Sequence, residues 1–266
     1  MDEPFRNPVL SEEVAGHPGL RLLTFHSRAL GRRGDVSLYL PPRVARELPL
    51  VLLLHGVYGS HWNWWALGGL AAIAGEMMAN GEAAPMAIAM PSDGLWGDGS
   101  GYLRHKAFDA EAWLVEDVPA CVQALLPQVR VDRLYLGGLS MGGYGALRIG
   151  AKYAERIGAI SAHSAVTSLE DLQSFVGDAL EKDLAAGKRD ADLLYWMRKN
   201  RAHLPRIRFD CGTEDALLGS NRALHTALTK ARIPHAYEEY PGGHDWIYWQ
   251  TQVRRTLRFM SDTLRG

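Results

Sequence analysis

The chain has 266 residues, 47% of them hydrophobic, enough to bury a substantial core within a single domain. Lysine plus arginine (29) and aspartate plus glutamate (30) nearly cancel, so the sequence carries no electrostatic footprint for nucleic acid or for an anionic membrane. No apolar run approaches membrane-spanning length, and Met1-Asp2-Glu3-Pro4-Phe5 lacks the charged-then-apolar pattern of a signal peptide.

Two extended segments, near 20–30 and 35–40, read as an antiparallel pair joined by the turn Gly31-Arg32-Arg33-Gly34. Strands and helices then alternate. Pro49 to Leu54 is a continuous apolar run of buried-strand length that ends in His55-Gly56-Val57-Tyr58-Gly59. A strand followed by an H-G-x-x-G loop can supply a backbone N–H for an oxyanion hole, and Val57 is the candidate donor, with Gly56 and Gly59 letting the loop curl; an ordinary glycine turn is the competing reading. A helix around 65–79, a strand at Met86 to Met90 and a helix around 110–126 follow.

The strand at 131–137 runs into Gly138-Leu139-Ser140-Met141-Gly142, which opens a small-residue helix at 141–153. A serine on a sharp strand-to-helix turn is a nucleophile elbow, whose strained backbone needs small residues two before and two after it. The helix behind it directs N–H groups, Met141's among them, to where negative charge would develop. With glycine near about 7% of residues, G-x-S-x-G arises by accident in roughly one chain of this size in ten. The motif therefore needs its companions.

After a strand at 157–162, residues from about 168 to 203 carry helical patches (Leu169 to Leu184, Ala191 to Arg201) and no strand. The segment reads as a cap insertion overhanging Ser140, with a long crossover helix pair as the alternative. The strand at 206–211 then enters a turn with three carboxylates, Asp210, Glu214 and Asp215. One of these should orient a catalytic imidazole; Asp215 is preferred, with Glu214 second. A helix at 219–231 and a period-2 strand at 235–240 lead to Pro241-Gly242-Gly243-His244-Asp245-Trp246 and a final helix at 246–262. His244 is the histidine in a glycine-rich loop beyond both Ser140 and Asp215. Serine, aspartate, histidine is the chain order of α/β-hydrolases, and the βα alternation predicts the matching α/β fold, a mostly parallel sheet covered on both faces.

These pieces, LLLHGVYGSHWNWW, MPSDG, YLGGLSMGGYGAL, FDCGTED and YPGGHDWIYW, span residues from about 50 to 250. Together they resemble the esterase family of α/β-hydrolases, which includes tributyrin and feruloyl esterases, S-formylglutathione hydrolase, enterochelin esterase and the mycobacterial mycolyltransferases. The resemblance implies a Ser140–His244–Asp215 triad, an oxyanion hole from the N–H groups of Val57 and Met141, and no metal or organic cofactor. It leaves the ester open, from acetyl to feruloyl.

Loops at the carboxyl ends of the strands should form the pocket. His55, Gly56, Tyr58, Trp62, Trp96 and His163 are the candidate substrate contacts, since aromatic loop residues offer stacking platforms. Trp64 and Trp65 read instead as the packed start of the next helix, and a loop histidine such as His163 is commonly satisfied by the protein itself. Cys121, in a helical pattern, and Cys211, at a strand end, read as small buried hydrophobes rather than a disulfide. Free thiols and the missing signal peptide suit the cytoplasm, although a chain trimmed of its leader would read the same. The expected partner is a small-molecule ester, and a homo-oligomer is left open. The expected activity is serine carboxylesterase hydrolysis through an acyl-enzyme. Rival readings are transfer of the acyl group to another alcohol, thioester hydrolysis of S-formylglutathione, and a non-catalytic binding role for the same fold.

Overall fold

The computed structural model describes residues 3–42, 47–177 and 180–265; Met1 and Asp2 of the N-terminal reading lie outside them. Nine strands form one sheet in the order β1-β2-β3-β5-β4-β6-β7-β8-β9. They are β1 (Phe5–Leu10), β2 (Leu20–Ser27), β3 (Arg32–Tyr39), β4 (Leu48–Leu54), β5 (Ala87–Pro91), β6 (Val129–Leu139), β7 (Ile157–His163), β8 (Arg206–Gly212) and β9 (Ala236–Tyr240). From β5 through β9 the neighbours are parallel; β1, β2 and β3 add an antiparallel edge.

Alternation along the central strands sends side chains to opposite faces. Leu50, Leu52 and Leu54 of β4 enter one core with Leu134 and Leu136 of β6, while Val51 and Leu53 enter a second core with Tyr135. The first core is covered by α4 (Val118–Leu125), α5 (Met141–Lys152), α9 (Leu193–Lys199) and α10 (Leu218–Lys230), the second by α2 (Leu70–Ala79) and α11 (Trp246–Arg265). Both faces being apolar explains why the central strands read as unbroken hydrophobic runs. This is the expected α/β-hydrolase architecture.

Several boundaries differ from the sequence reading. The β2–β3 turn occupies residues 28–31, closed by Gly31 N–H to the Arg28 carbonyl (3.2 Å), and Arg32 already belongs to β3. β1 pairs on the outer edge of β2 and was not anticipated; its burial is only partial, so it lacks a strong period-2 signal. The helix expected from 65 is split into α1 (Asn63–Ala66) and α2, because Gly69 sits at φ +63° between them. The helix expected at 110–126 contains a π-helical turn, Trp113–Asp117, between α3 (Ala110–Ala112) and α4.

Residues 168–203 form short helices, α6 (Leu169–Gln173), α7 (Leu180–Asp183), α8 (Lys188–Ala191) and then α9, instead of the two longer ones expected; 178–179 lie outside the described residues. Two local devices break them up. Gly187 takes φ +75°, and the Asp192 carboxylate accepts the Tyr195 N–H to start α9 afresh.

Candidate active site

Ser140 follows β6 and precedes α5 with φ +52° and ψ −119°, a conformation that L-residues rarely adopt. A Cβ at Gly138 would lie 2.3 Å from the Gly142 carbonyl oxygen, and one at Gly142 would lie 2.3 Å from that of Leu54. No side chain fits either position, which is why both flanking residues of the elbow are glycine. The Ser140 N–H is held by the His163 carbonyl at 3.0 Å.

His244 comes from the loop between β9 and α11, and Asp215 from the turn after β8. The imidazole Nε2 lies 3.1 Å from Ser140 Oγ, and Nδ1 lies 2.9 Å from Asp215 Oδ2 and 3.1 Å from Oδ1. A hydrogen on Nδ1 therefore donates to the carboxylate and leaves Nε2 free to accept from the serine hydroxyl. Asp215 is buried. Burial pushes its pKa up, but the hydrogen bonds from His244 and from the Leu217 N–H (2.8 Å) outweigh that and hold it below the ordinary carboxylate value. Of the other two carboxylates in the turn, Glu214 is exposed, and Asp210 is buried in contact with His163.

Val57 and Met141 bring two backbone N–H groups to the same end of the sheet. Neither N–H meets an acceptor among the described residues, whereas the next one, Tyr58 N–H, is taken by the Asp98 carbonyl at 3.0 Å. Met141 is the first residue of α5, where helix geometry leaves N–H groups without internal partners.

A cavity of about 160 Å³ lies beside this corner, lined among others by His55, Gly56, Tyr58, Leu95, Asp98 and Met141. Three of the candidate contacts, His55, Gly56 and Tyr58, thus line it. The His55 ring is otherwise buried, with Nδ1 donating to the Gly56 carbonyl at 2.7 Å. Trp62 is half exposed at the start of α1 and Trp96 packs on His105 (ring centroids 4.6 Å apart); neither lines this cavity.

His163 is a correction. It is fully buried, with Nδ1 at 2.8 Å from Asp210 Oδ2 and Nε2 at 2.7 Å from Thr256 Oγ1, so both nitrogens are engaged inside the protein. Trp64 and Trp65 are held through their indole N–H groups, to the Leu54 carbonyl (3.0 Å) and Ser37 Oγ (2.9 Å), as packed residues.

Two residues that the sequence did not single out also reach the site. The Phe175 ring lies nearly parallel to the His244 imidazole, 6.1 Å between centroids and 12° between planes, and its carbonyl accepts a hydrogen bond from the Tyr58 hydroxyl. Asp98 accepts the Gly177 N–H at 2.8 Å. Segment 175–177 is thereby tied to two loops of the sheet, contacts separated too far in sequence to leave a local signal. Among the described residues, no group of three or more His, Cys, Asp and Glu converges as metal ligands, and no helix is long and apolar enough to cross a membrane.

A family model described as "Putative esterase" matches residues 27–260. An acetyl esterase of Caldicellulosiruptor saccharolyticus is 30% identical over 82% of this chain and 85% of the relative. An S-formylglutathione hydrolase of Paracoccus denitrificans is 25% identical over 90% of this chain and 91% of the relative. Among solved structures, a ferulic acid esterase superposes with a TM-score of 0.80 at 24% identity, over 92% of this chain and 98% of that one, a likeness of fold. Since the family match extends from β2 to the last helix, the chain belongs to this family of esterases, ester-hydrolysing enzymes built on the α/β-hydrolase fold.

Proposed function

We propose that the chain is a serine carboxylesterase that cleaves esters of short acyl groups, with Ser140 as nucleophile. The observation that carries this reading is the unbroken line from Ser140 Oγ to His244 Nε2 (3.1 Å) and from His244 Nδ1 to Asp215 (2.9 Å). His244 accepts the serine proton as the hydroxyl attacks the ester carbonyl, and the N–H groups of Val57 and Met141 receive the negative charge of the tetrahedral intermediate. Collapse releases the alcohol, protonated by His244. Water deprotonated by the same imidazole then attacks the acyl-enzyme and frees the acid. Asp215 keeps the imidazole in the useful tautomer and stabilises its charged form.

Short acyl groups are favoured by size. The cavity beside Gly56 and Met141 holds about 160 Å³, well under the roughly 300–1,000 Å³ of pockets that enclose drug-sized ligands. The acetyl esterase relative points the same way. In this reading the chain is one domain, and 168–203 is its cap, with Phe175 laid over His244. Its place of action is the cytoplasm, where the buried free thiols of Cys121 and Cys211 would stay reduced.

The test is hydrolysis of p-nitrophenyl esters from acetyl to decanoyl, with methyl ferulate and S-formylglutathione alongside, by the parent and Ser140→Ala. The expected result is fastest turnover of acetyl and propionyl esters and none by Ser140→Ala, which keeps its fold. Turnover persisting in Ser140→Ala would remove the basis of the reading; preference for long or feruloyl esters would overturn its substrate class.

A further inference from the structure

Beneath the elbow lies a second polar assembly that the proposed chemistry does not use. Asp210, fully buried in β8, accepts hydrogen bonds at Oδ2 from Arg208 (2.7 Å) and His163 Nδ1 (2.8 Å), and at Oδ1 from the Tyr248 hydroxyl (2.7 Å). His163 Nε2 is 2.7 Å from Thr256 Oγ1, Thr256 Oγ1 is 2.6 Å from Ser161 Oγ, and Arg208 reaches that serine at 3.2 Å. The contacts close into a ring. Arginine only donates and a carboxylate only accepts, so one ordering gives every hydroxyl hydrogen an acceptor within the ring. Arg208 donates to Ser161, Ser161 to Thr256, Thr256 to His163 Nε2, and His163 Nδ1–H to Asp210. In that ordering Nδ1 of His163 carries the hydrogen given to Asp210 and Nε2 accepts from Thr256. Burial pushes the Asp210 carboxyl up, but His163, Arg208 and Tyr248 outweigh it and hold it below its ordinary value, so it stays ionised.

The ring is attached to all three loops of the proposed triad. On β7, the His163 carbonyl holds the N–H of Ser140, the residue with the strained backbone. On β8, Asp210 belongs to the strand that delivers Asp215, and its carbonyl accepts the Ser164 N–H at 2.7 Å. On α11, Tyr248 sits one turn beyond His244. A Cβ at Gly242 would be 2.7 Å from Tyr248 Cδ2, so the histidine loop rests directly on that ring.

We infer that Asp210, His163 and Tyr248 are positioning residues for acyl transfer, one buried carboxylate setting the relative placement of the loops that carry Ser140, Asp215 and His244. The inference rests on the catalytic reading above. Such placement matters because a misplacement of about 1 Å at a reacting group can cost roughly a hundredfold in rate. None of the three lines the cavity beside the elbow, and the ring nitrogens of His163, the carboxylate of Asp210 and the Tyr248 hydroxyl are all engaged within the protein.

Tyr248→Phe, His163→Leu and His163→Asn in the full chain test this, with kcat and KM for p-nitrophenyl acetate and the rate at which a fluorophosphonate labels Ser140. Tyr248→Phe and His163→Leu are expected to lower kcat by about 10- to 100-fold with KM within about twofold, and to slow labelling by a similar factor. His163→Asn, whose amide can replace the Nδ1 donor to Asp210, should recover most of kcat. A purely structural role would instead lower the fraction of folded protein while leaving kcat per labelled site intact. That result, or kcat within about twofold of the parent in folded Tyr248→Phe, would overturn the inference. If His163→Leu does not fold, Tyr248→Phe, which deletes one oxygen, still decides it. Ser140→Ala in the same assays reports separately on the catalytic reading: the parent stays Ser140-dependent even if the ring proves inert.

Discussion

Two buried charge clusters, one between the sheet and α11 and the other on α5, hold different parts of the molecule. The Asp210 ring lies under the loops at the carboxyl end of the sheet. The other centres on Arg148, a fully buried residue of α5 that pairs with Glu111 and Asp190 (3.2 Å), while Lys152 reaches both carboxylates at 2.7 Å. Glu111 belongs to α3 and Asp190 to α8, so this cluster fastens the middle of α5 to neighbouring helices and to the proposed cap. Burial pushes Glu111 up, but Arg148 and Lys152 outweigh it and hold it below the ordinary range. Similar chemistry serves different ends: one cluster registers loops, the other fastens layers. The comparison teaches that a buried ion pair is read by what it connects.

The largest effect should come from the proposed triad. Asp215→Asn removes the charge that stabilises the imidazolium and invites the wrong tautomer, and kcat should fall by about 10⁴-fold with the fold retained; steady-state kinetics with circular dichroism check this. Next is the Arg148 cluster. Arg148→Met strands Glu111 and Asp190 without their guanidinium and should cost about 3–5 kcal/mol of stability. Denaturant unfolding measures the loss, while kcat per fluorophosphonate-labelled site should stay within about threefold of the parent. A large fall in kcat per site would erase the contrast with the Asp210 ring.

Acid should destabilise the fold in two stages, the second of which reaches both clusters. Burial lowers the pKa of His55 and His105, so below about pH 6.5 the unfolded chain takes up protons that the folded chain refuses. Stability is thus fully present above that pH and declines beneath it. Asp210, Asp215 and Glu111 are depressed as well. Their contribution is present above the unfolded carboxylate values of about 3.9–4.3 and is lost as pH falls through the lower folded ones. A Tm series from pH 8 to pH 3 should show a shallow decline first and a steep one last. The smallest effect is expected at the strap over the site. Tyr58→Phe deletes one hydrogen bond to the Phe175 carbonyl, worth about 1 kcal/mol. It should raise the relative rate on butyryl over acetyl esters a few-fold, which the ester series reads directly.

The elbow, the H-G-x-x-G loop and the order of Ser140, Asp215 and His244 were legible because each is a local constraint. Gly138 is required by a contact within its own turn and Gly142 by the close approach of the β4 end at Leu54, and the apolar runs of β4 and β6 reflect burial on both faces. His163 misled because a histidine after a strand looks the same whether it faces a pocket or a buried aspartate on the next strand. Phe175 gave no signal, since its partner His244 arrives from a distant loop.

Sequence by itself thus determined the fold class, the family and the candidate residues Ser140, Asp215 and His244 that the structure brings together, because backbone sterics and hydrophobic period act over a few neighbours. Tertiary structure alone decided that His163 belongs to a ring with Asp210, Arg208 and Thr256, and that segment 175–177 lies against His244 and Tyr58. Those relations depend on which strands become neighbours and where their loops meet, and the free energy that selects them comes from burying the whole sheet between two layers of helices.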